Sequence, residues 1–430
     1  MRHVVFVETN SNGLNAFQVA KDAGHYVTFI KSGQYDHFYT QSAKYDDAIT
    51  AIDNYVEIDD VMDIHCLSAA LTNINRMKPI DAVLTVLEHV VLPLAHAAEM
   101  ANIRYLPLES VRAARDKSLL RRELSNKGIR SCAFVAGDDP DSLITEAENK
   151  VGYPAIVKPA SGFSSLLVKR FNNRDELQAS ISEYRMEYQK LKSIYKRSID
   201  GTLLIEEFLS GRMISLEIGA INGKFIPIAI ADRKQYSQDE SIELGGTMPI
   251  DIQEPIKKEI YRYGIELLRS LGFSFGIFHI EMILTNKGPV VFDLNPRIAG
   301  GSGGGQMLSM VIGHSIYQSM IDFFLGDEAA VSARRYEPQC YATDRELVCM
   351  EEAIYRGAND FSWMEDYRGK GLTDFIFCLQ PGDKVAKVGS NNDVIGTVVV
   401  KAETEASSKA LADEIVDRLR DTLNLPLILR

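Results

Sequence analysis

The sequence predicts a protein of mixed α/β and α+β class, with an open parallel sheet at its N-terminus and a small α+β tail at its C-terminus. Residues 1–110 alternate short apolar runs with amphipathic helical patterns, as βαβ units do. From residue 111 to about 330, longer strands, hairpins and glycine-rich turns replace that rhythm. The 430 residues, 46% of them hydrophobic, suffice for two or three cores. We therefore expect divisions at residues 1–110, 111–200 and 201–430.

The N-terminal elements alternate in order along the chain. The strand-like runs are HVVFVE, YVTFI and IDAVLTV, and the helical patterns are NAFQVAKDAG and VLPLAHAAEMANI. The turn after the first run reads Ser-Asn-Gly and does not match GxGxxG, so the sequence gives little support for a dinucleotide site there.

The central region and the tail contain a second set of elements. The helical patterns are SVRAARDKSLLRRELSNKG, DELQASISEYRMEYQKLKSIYKR and, near the end, SSKALADEIVDRLRDTL. The strand-like runs are AIVKPA, LIEEFLSG, MISLEIGAINGKFIPIAIADR, FHIEMIL and GPVVFDLNPR, followed in the tail by DFIFCLQPGD and VIGTVVVKAE.

Composition and charge exclude several classes of protein. With 59 acidic against 47 basic residues, the formal charge is −12 and no long basic run occurs, so nucleic acid and membranes are not expected partners. The five cysteines form no CxxC pair, which argues against a disulfide framework and a thiolate zinc site. Neither a signal peptide nor a stretch of about 18 apolar residues is found, so a cytoplasmic protein is expected.

The segment from His279 to Arg297 carries the clearest chemical pattern. Two runs alternate apolar and polar residues around a Thr-Asn-Lys-Gly turn, which predicts a hairpin. With a three-residue loop at 286–288, Glu281 falls opposite Asp293, and His279 falls opposite Asn295. One face of the hairpin then consists of His279, Glu281, Asp293, Asn295 and Arg297. The face toward the core consists of Ile280, Met282, Phe292 and Leu294.

This polar face predicts a magnesium site. Two opposed carboxylates with no basic residue between them repel each other and usually require a cation. Hard oxygen ligands suit Mg²⁺, which proteins hold with one or two carboxylates and substrate phosphates, and Asn295 adds a neutral oxygen. Arg297 presents a forked cation to a carboxylate or phosphate oxygen. The alternative is an ordinary solvated hairpin face. The glycine-dense run from Gly300 to Gly305 argues against this alternative, because glycines allow a ligand to approach the backbone closely.

Phosphate binding requires groups other than a P-loop, because no GxxxxGK[ST] occurs. Lys158 ends an apolar strand, and the small residues at 161–165 can close over an anion. The alternative is a surface lysine with a buried stem. Lys117 lies on a helical pattern, where a solvated charged face is the ordinary interpretation. Glu206 and Glu207 are adjacent on a strand, so one should reach solvent and the other should have a polar partner.

Five motifs together resemble those of the ATP-grasp superfamily, in the order that the family has. They are RDKSLLRREL, VKPASGFSS, LIEEFLSG, HIEMIL and FDLNPRIAGG, and the match spans about residues 80–325. The resemblance implies an ATP-grasp fold preceded by an N-terminal α/β domain, and an enzyme that uses ATP and two magnesium ions. In this family the position of Asp293 more often holds Glu, and the phosphate loop here has only one glycine.

The resemblance also implies roles for single residues. Contacts to the α- and β-phosphates are implied for Lys117 and Lys158. The loop over the β- and γ-phosphates would contain Ser161, Gly162, Ser164 and Ser165. The adenine side would be bound by the Glu206 side chain, by backbone groups of Glu207 and Leu209, and by Glu217 as a ribose-side or other polar contact. The metal ligands would be Glu281, Asp293 and Asn295. The acyl phosphate or the substrate carboxylate would be held by Arg297.

Within the superfamily, the segments DLNPRIAGG, LQPGD and DVIGTVVV look most like the L-amino-acid ligases of the bacilysin and dapdiamide synthetase type. This resemblance implies that ATP converts a small carboxylic acid into its acyl phosphate, which an amino-acid amine then attacks. Candidate substrate residues are Arg233, Glu243, Gly245, His279, Arg297, Gly300 and Gly301.

Several alternatives remain open. For Arg233 and Glu243 the ordinary interpretation is a solvated loop. His279 can serve as a base for the amine or simply be a hydrogen-bonded hairpin residue. The enzyme alternatives are a carboxylase or a purine-biosynthetic ligase that uses bicarbonate or formate, and the non-enzyme alternative is a nucleotide-binding protein without catalysis. Similar enzymes lead us to expect a homodimer.

Overall fold

The computed structural model describes most of the chain, and the site residues lie mainly within the described part. The described residues are 1–40, 42, 44–162, 167–191, 196–197, 199, 201–236, 239–300, 304–357, 360–391 and 393–428, with the backbone alone at 239–241.

The N-terminal region is an open parallel sheet, as the alternating pattern predicts. Its strands are β1 (His3–Val7), β2 (Tyr26–Lys31), β3 (Asn54–Glu57) and β4 (Ala82–Leu84), in the order β3-β2-β1-β4. Its helices are α1 (Leu14–Asp22), α2 (Tyr45–Ile49), α3 (Ile64–Met77) and α4 (Val91–Met100), with short 3-10 turns at Asp36–Phe38 and Glu88–Val90. Strand β3 was not predicted, and it is an edge strand whose residues alternate between half-buried and exposed.

The strand order brings two acids to the carboxyl edge of this sheet. β1 lies between β2 and β4, so the direction of the connections reverses at the β1–β4 boundary. Ligands of open α/β sheets bind at such reversals, beyond the carboxyl ends of the strands. Glu8 directly follows β1, and Glu88 lies in the turn after β4.

The helical pattern of 110–128 is two helices and not one. α5 (Leu108–Arg115) ends before Asp116, and α6 (Lys117–Asn126) starts directly after it. The Asp116 side chain accepts hydrogen bonds from the N–H groups of Ser118 at 2.8 Å and Leu119 at 3.0 Å, so it caps the second helix. The break places Lys117 in the first turn of α6.

A four-stranded antiparallel sheet follows. Its strands are β5 (Phe134–Gly137), β6 (Ala155–Pro159), β7 (Lys169–Phe171) and β8 (Leu203–Glu207), in the order β5-β8-β6-β7. Its helices are α7 (Pro140–Lys150) and α8 (Arg174–Lys190). The helices and strands share a separate core, in which Val157 and Leu177 are fully buried. Glu206 is buried and Glu207 is exposed, which confirms that the two acids point in opposite directions.

Eight of the remaining described strands form one antiparallel sheet, in the order β13-β12-β9-β10-β11-β14-β18-β16. The bounds are β9 (Arg212–Ile221), β10 (Lys224–Tyr236), β11 (Asp239–Met248), β12 (Gly276–Thr285), β13 (Gly288–Asn295), β14 (Tyr341–Leu347), β16 (Leu372–Phe377) and β18 (Gly396–Ala402). A separate short pair is β15 (Ala353–Ile354) and β17 (Lys384–Val385). The helices are α9 (Glu254–Ser270), α10 (Gly304–Ile312), α11 (Ile316–Leu325), α12 (Glu328–Ser332), α13 (Met364–Arg368) and α14 (Glu405–Leu423). The strands of the tail therefore continue the central sheet.

The largest core joins the parallel sheet to the eight-stranded sheet. Val5 and Leu94 from the N-terminal region belong to the same buried cluster as Leu216 and Phe323. Apolar side chains therefore pack the parallel sheet and the eight-stranded sheet into one core. Within the described parts of the chain, no helix combines the length and the apolarity that crossing a membrane requires.

The β12–β13 hairpin has the predicted residue pairs, but its turn is shorter than predicted and one strand contains a bulge. Glu281 lies opposite Asp293, and His279 lies opposite Asn295, as predicted. The predicted three-residue loop is wrong, since Thr285 pairs with Gly288 across a two-residue turn. A register shift between Glu281 and Met282 leaves Phe292 as the extra residue of a β-bulge and restores the predicted pairs. Phe292 consequently lines a cavity and does not enter the core as expected.

Candidate active site

A cavity of about 660 Å³ is lined by residues of both antiparallel sheets and of the turn after β4. It brings together most of the residues singled out from the sequence, which are Lys117, Lys158, Gly162, Glu206, Glu207, Leu209, Glu217, Arg233, Glu243, Gly245, His279, Glu281, Asp293, Asn295, Arg297 and Gly300. Ser161, half-buried, directly precedes Gly162 at this wall. The predicted residues Ser164, Ser165 and Gly301 lie outside the described residues.

Lys158 and Glu206 form a buried ion pair at one wall. Lys158 Nζ lies 2.6 Å from Glu206 Oε2, and the two side chains are 6% and 2% exposed. Arg121 Nε lies 2.8 Å from the other carboxylate oxygen. Burial would raise the pKa of Glu206, but Arg121 and Lys158 outweigh it and lower that pKa to about 2. Burial lowers the pKa of Lys158, against the effect of Glu206. This wall therefore holds two cations around a single carboxylate.

Lys117 connects the phosphate side of the cavity to the polar hairpin face. Its Nζ lies 3.0 Å from Asp293 Oδ1, and its backbone N–H donates to the Ala160 carbonyl at 2.8 Å. The side chain is only 10% exposed, so the interpretation of Lys117 as a solvated helical residue is wrong. The helix break at Asp116 is the physical reason, because it turns the first residue of α6 into the cavity.

The hairpin face carries more positive charge than the hairpin sequence shows. Glu281 Oε1 lies 3.2 Å from His279 Nε2 and 3.9 Å from Arg233 Nη2. Burial would raise the pKa of Glu281, but His279 and Arg233 lower it to about 2. The expectation that no basic residue lies between the two acids is wrong, since His279 of the hairpin faces Glu281, and Arg233 and Lys117 reach the two acids from other elements.

His279 is held between two carboxylates. Its Nδ1 contacts Glu217 Oε1 in a short hydrogen bond, and its Nε2 faces Glu281. Burial disfavours the imidazolium, but the two carboxylates outweigh it and raise the pKa of His279 to about 9. Glu217 Oε2 has no hydrogen-bond partner among the described residues, although the side chain is fully buried. His279 is thus a hydrogen-bonded hairpin residue in this arrangement.

Arg297 is fixed by an acid from the parallel sheet region. Its Nη2 donates to Glu88 Oε2 at 2.5 Å and to Asn295 Oδ1 at 3.4 Å, and its Nη1 donates to the Ile298 carbonyl at 2.8 Å. Arg115 Nη1 contacts the other oxygen of Glu88 and lies 3.5 Å from Asn295 Oδ1. Burial would raise the pKa of Glu88, but the two arginines hold it well below its usual range. In the described chain, Arg297 Nε is left without a partner.

The far end of the cavity is richer in acids. Arg233 Nη1 lies 3.5 Å from Glu243 Oε2, and burial raises the pKa of Glu243 despite that contact. Burial also raises the pKa of Asp344, whose Oδ1 accepts from the Gly246 N–H at 2.6 Å. Gly245, with φ +104, lets the backbone of β14 approach closely, because a Cβ there would lie 2.3 Å from the Asp344 carbonyl oxygen.

The predicted adenine side is formed by the end of β8. Glu207 and Leu209 line the cavity. The Glu207 N–H donates to the Ala133 carbonyl at 3.0 Å, so this group is already engaged. The ring of Phe208 is covered by the Arg170 guanidinium at 3.9 Å, which gives this wall an apolar and a cationic component.

Sequence reasoning missed seven charged residues in the described part of the site. Five of them line the cavity, which are Glu88, Arg170, Asp232, Asp344 and Glu346, and two contact its lining, which are Arg115 and Arg121. Two of them had a readable signal. Glu88 follows a parallel strand at its carboxyl end, where ligands of such sheets bind. Arg121 stands four residues after Lys117 on the same helix, hence on the same face.

The donor set fits magnesium by its chemistry. Glu281, Asp293 and Asn295 offer two carboxylates and an amide oxygen on adjacent positions of one cavity wall. These are the hard oxygen ligands that Mg²⁺ takes together with phosphates. Among the described residues, no group of three or more His, Cys, Asp or Glu side chains is arranged to hold a metal ion.

Comparisons with known proteins agree with this architecture. Residues 17–103 match the ATP-grasp N-terminal domain, and residues 151–305 match the ATP-grasp domain. The chain is 23% identical to alanine–anticapsin ligase of Bacillus amyloliquefaciens over 298 residues, which cover 64% of this chain and 61% of that protein. It is 26% identical to D-alanine–D-alanine ligase of Bacillus velezensis over 233 residues, which cover 47% of this chain and 61% of that protein.

The fold is also shared with a solved structure, that of L-amino acid ligase from Bacillus licheniformis. The TM-score is 0.78 at 19% identity, with 100% of this chain and 99% of that chain covered. The chain spans about six tenths of the length of the curated relatives that it matches. The two matched domains, the order of the motifs and the shared fold lead to one conclusion. The chain belongs to the ATP-grasp superfamily.

Proposed function

We propose that this protein is an ATP-dependent ligase that joins a small carboxylic acid to an amino acid through an acyl phosphate, releasing ADP and phosphate. The observation that carries the proposal is the contact between Lys117 and Asp293, 3.0 Å apart. It places a predicted phosphate ligand beside a predicted magnesium ligand in the same cavity that holds Lys158 and Arg297. The sequence relatives named alanine–anticapsin ligase and D-alanine–D-alanine ligase support it.

ATP would lie along the wall formed by β6 and β8. Lys117 and Lys158 would contact the α- and β-phosphates, and the segment that begins at Ser161 and Gly162 would close over the β- and γ-phosphates. Glu206, Leu209 and the carbonyl side of Glu207 would face the adenine. Glu217 is fully buried, and its Oε2 has no partner among the residues that the structure describes, so it would make a polar contact on the ribose side.

Glu281, Asp293 and Asn295 would hold two magnesium ions together with the phosphates. When bound, these ions neutralise the negative charge on the phosphoryl group that is transferred. The three residues are kept at the cavity wall by the hairpin register, and Lys117, His279 and Arg233 balance the two carboxylates until the ligand arrives.

The first chemical step makes the carboxylate a better acyl donor. A carboxylate oxygen attacks the γ-phosphorus, the bond to the β-phosphate oxygen breaks, and ADP leaves. Arg297 would hold the carboxylate and then the acyl phosphate, because Glu88 and the Ile298 carbonyl fix its guanidinium while Nε has no partner in the described chain. A donor that is fixed in advance stabilises developing charge without reorganisation.

The second step forms the amide. The amine attacks the acyl carbon, the carbon–oxygen bond to phosphate breaks, and phosphate leaves while the amine loses a proton. The acid-rich end with Arg233, Glu243 and Gly245, together with His279 and Gly300, would bind the substrates of this step. Water has to be kept from the mixed anhydride during this step, because water would hydrolyse it.

The proposal is tested by a screen of ATP turnover with amino acids and small dicarboxylate derivatives, alone and in pairs, with mass spectrometry of the products. At least one pair should raise phosphate release and give an amide of matching mass. Bicarbonate and formate are included as separate acyl sources, since stimulation by either alone points to a carboxylase or a purine-biosynthetic type of ligase. Turnover that no acid–amine pair stimulates would refute the proposal.

A further inference from the structure

Arg121 is a completely buried cation outside the set of predicted site residues. It is the largest of the fully buried side chains in the described chain, at 0% exposure. Its guanidinium donates from Nε to Cys132 Sγ at 3.1 Å and from Nη2 to the Phe292 carbonyl at 2.9 Å, while Nε also lies 2.8 Å from Glu206 Oε1. Its Nη1 has no partner within the described residues. A charge buried this deeply is costly unless its partners require it.

The first partner is the ion pair of Lys158 and Glu206, on the cavity wall where we propose that the phosphates bind. Glu206 bridges Arg121 and Lys158, so the three side chains together carry one net positive charge. Without Arg121 the remaining pair would carry no net charge, because the carboxylate of Glu206 would match the charge of Lys158. Arg121 therefore leaves Lys158 able to attract an anionic phosphate in a site of low dielectric constant.

The second partner is the β-bulge of the metal hairpin. Phe292 is the extra residue of that bulge, and the next residue, Asp293, faces Glu281. The hydrogen bond from Arg121 Nη2 holds the Phe292 carbonyl. Because a bulge re-aims the side chains beside it, the orientation of Asp293 depends on how the carbonyl of Phe292 is held.

Helix α6 places both contacts together. Lys117 and Arg121 are four residues apart, so they lie on one face of the helix. Lys117 reaches Asp293 on the hairpin, while Arg121 reaches Glu206 on β8 and Phe292 on β13. A single face of α6 thus contacts both Glu206 on β8 and the β12–β13 hairpin.

We propose that Arg121 is a positioning residue that couples the cavity wall of Lys158 and Glu206 to the β12–β13 hairpin. It gives the group Arg121, Lys158 and Glu206 a net positive charge, and it holds the bulge that orients Asp293. This inference rests on the proposed function, because it assumes that ATP and magnesium use this cavity. It assigns Arg121 two separable contributions. One depends on positive charge and the other on the forked geometry of the guanidinium.

The test compares Arg121→Met and Arg121→Lys with wild type and with Arg122→Ala, a control at the exposed neighbouring arginine. Calorimetry measures the affinity for a non-hydrolysable ATP analogue at several magnesium concentrations, and circular dichroism checks the fold. ATP turnover with an active acid–amine pair gives KM and kcat. In Arg121→Met we expect the analogue to bind about tenfold more weakly, KM for ATP to rise by a similar factor, and the magnesium requirement to rise, since charged hydrogen bonds are lost.

Arg121→Lys separates the two contributions. Lysine restores the charge beside Glu206 but cannot also hold the Phe292 carbonyl, so analogue affinity should return to within about threefold of wild type while the magnesium requirement stays raised. Arg122→Ala should match wild type in every measurement. If Arg121→Met does not fold, Arg121→Lys alone decides, because a magnesium requirement equal to that of wild type overturns the inference.

The outcomes distinguish this inference from the proposed function. Wild-type protein that binds no ATP analogue at any magnesium concentration refutes the proposed function, and the inference falls with it. Wild-type binding that folded Arg121→Met reproduces, with an unchanged magnesium requirement, refutes the inference alone.

Discussion

At the scale of single residues, the cavity is governed by buried charges that share partners. Glu88 forms ion pairs with two arginines, and Glu206 forms ion pairs with an arginine and a lysine. His279 lies between two carboxylates. In such groups the removal of one member leaves another charge buried without compensation. Substitutions here therefore test function and electrostatics together, and each needs a control outside the network.

Glu281→Ala and Arg297→Ala should each reduce ligase turnover by about a hundredfold or more, because a preorganised charge is removed from the site where phosphoryl charge develops. Steady-state phosphate release with an active substrate pair measures the effect, and circular dichroism verifies folding. Lys287→Ala, in the exposed hairpin turn, is the control and should keep wild-type turnover. Wild-type rates from either cavity variant would contradict the assignment of this face.

Glu8 predicts a pH dependence of stability. It is 1% exposed, adopts a left-handed backbone with φ 52, and accepts hydrogen bonds from the Ser32 N–H at 2.7 Å and the Ser32 hydroxyl at 2.9 Å. Burial raises the pKa of Glu8 from 4.5 to about 7. Because the folded-state pKa is the higher one, its stabilising contribution is complete below pH 4.5 and is lost as the pH rises through 7.

Glu8→Gln removes this titration. Its free energy of unfolding relative to wild type should therefore increase between pH 5 and pH 8, by roughly 3 kcal/mol at most. Urea unfolding of both proteins at unit steps of pH measures the difference. A constant difference across that range would show that Glu8 does not titrate as the buried environment implies.

At the scale of elements, the hairpin and the α5–α6 break show what a sequence can and cannot predict. The pairs Glu281–Asp293 and His279–Asn295 follow from alternation, and the structure confirms them. The two-residue turn and the compensating bulge at Phe292 do not follow, because alternation alone cannot locate an inserted residue. The helix break at Asp116 was missed because the apolar period continues across it, although Asp before a helical run is an N-cap signal.

The cap at Asp116 should affect both stability and nucleotide binding. Asp116→Ala removes the hydrogen bonds to the first turn of α6, which costs about 1 kcal/mol and loosens Lys117. We expect a lower midpoint of thermal unfolding and a higher KM for ATP. Asp139→Ala is the matched control, since Asp139 caps α7 through the Ser142 N–H at 3.1 Å and is not among the residues that line the cavity. It should lower stability similarly and leave KM unchanged, and a KM effect of equal size in both variants would contradict a local role for Asp116.

At the scale of the whole molecule, the site is assembled from three sheets. Glu88 comes from the parallel sheet region, Lys158 and Glu206 come from the four-stranded sheet, and Glu281 and Asp293 come from the eight-stranded sheet. Sequence motifs identified the members of the two antiparallel sheets. Glu88 and Arg121 were not singled out because each has a partner more than eighty residues away, Arg297 for Glu88 and Glu206 for Arg121, and a single sequence does not show which distant charges meet.

Glu88→Gln tests the contact between the parallel sheet and the site. It leaves Arg115 and Arg297 without their shared counter-charge, so the free energy of unfolding should fall by about 3 kcal/mol and ligase turnover should be lost. Urea unfolding and phosphate release measure the two effects. Glu109→Gln removes an exposed pair with Arg112 at 3.0 Å and should change stability by less than about 1 kcal/mol. Equal losses of stability and turnover in both variants would contradict the role of Glu88 as the shared counter-charge of Arg115 and Arg297.

The position of Glu88 also matters for engineering this protein. Arg297, which we propose holds the acyl donor, forms its ion pair with Glu88, and the turn that contains Glu88 belongs to none of the five ATP-grasp motifs. A hybrid that receives its first hundred residues from a relative would inherit the electrostatics of the reaction centre along with them. Libraries aimed at new acids should therefore vary the turn after β4 together with the motif strands, and hybrids should be chosen so that a carboxylate remains at position 88.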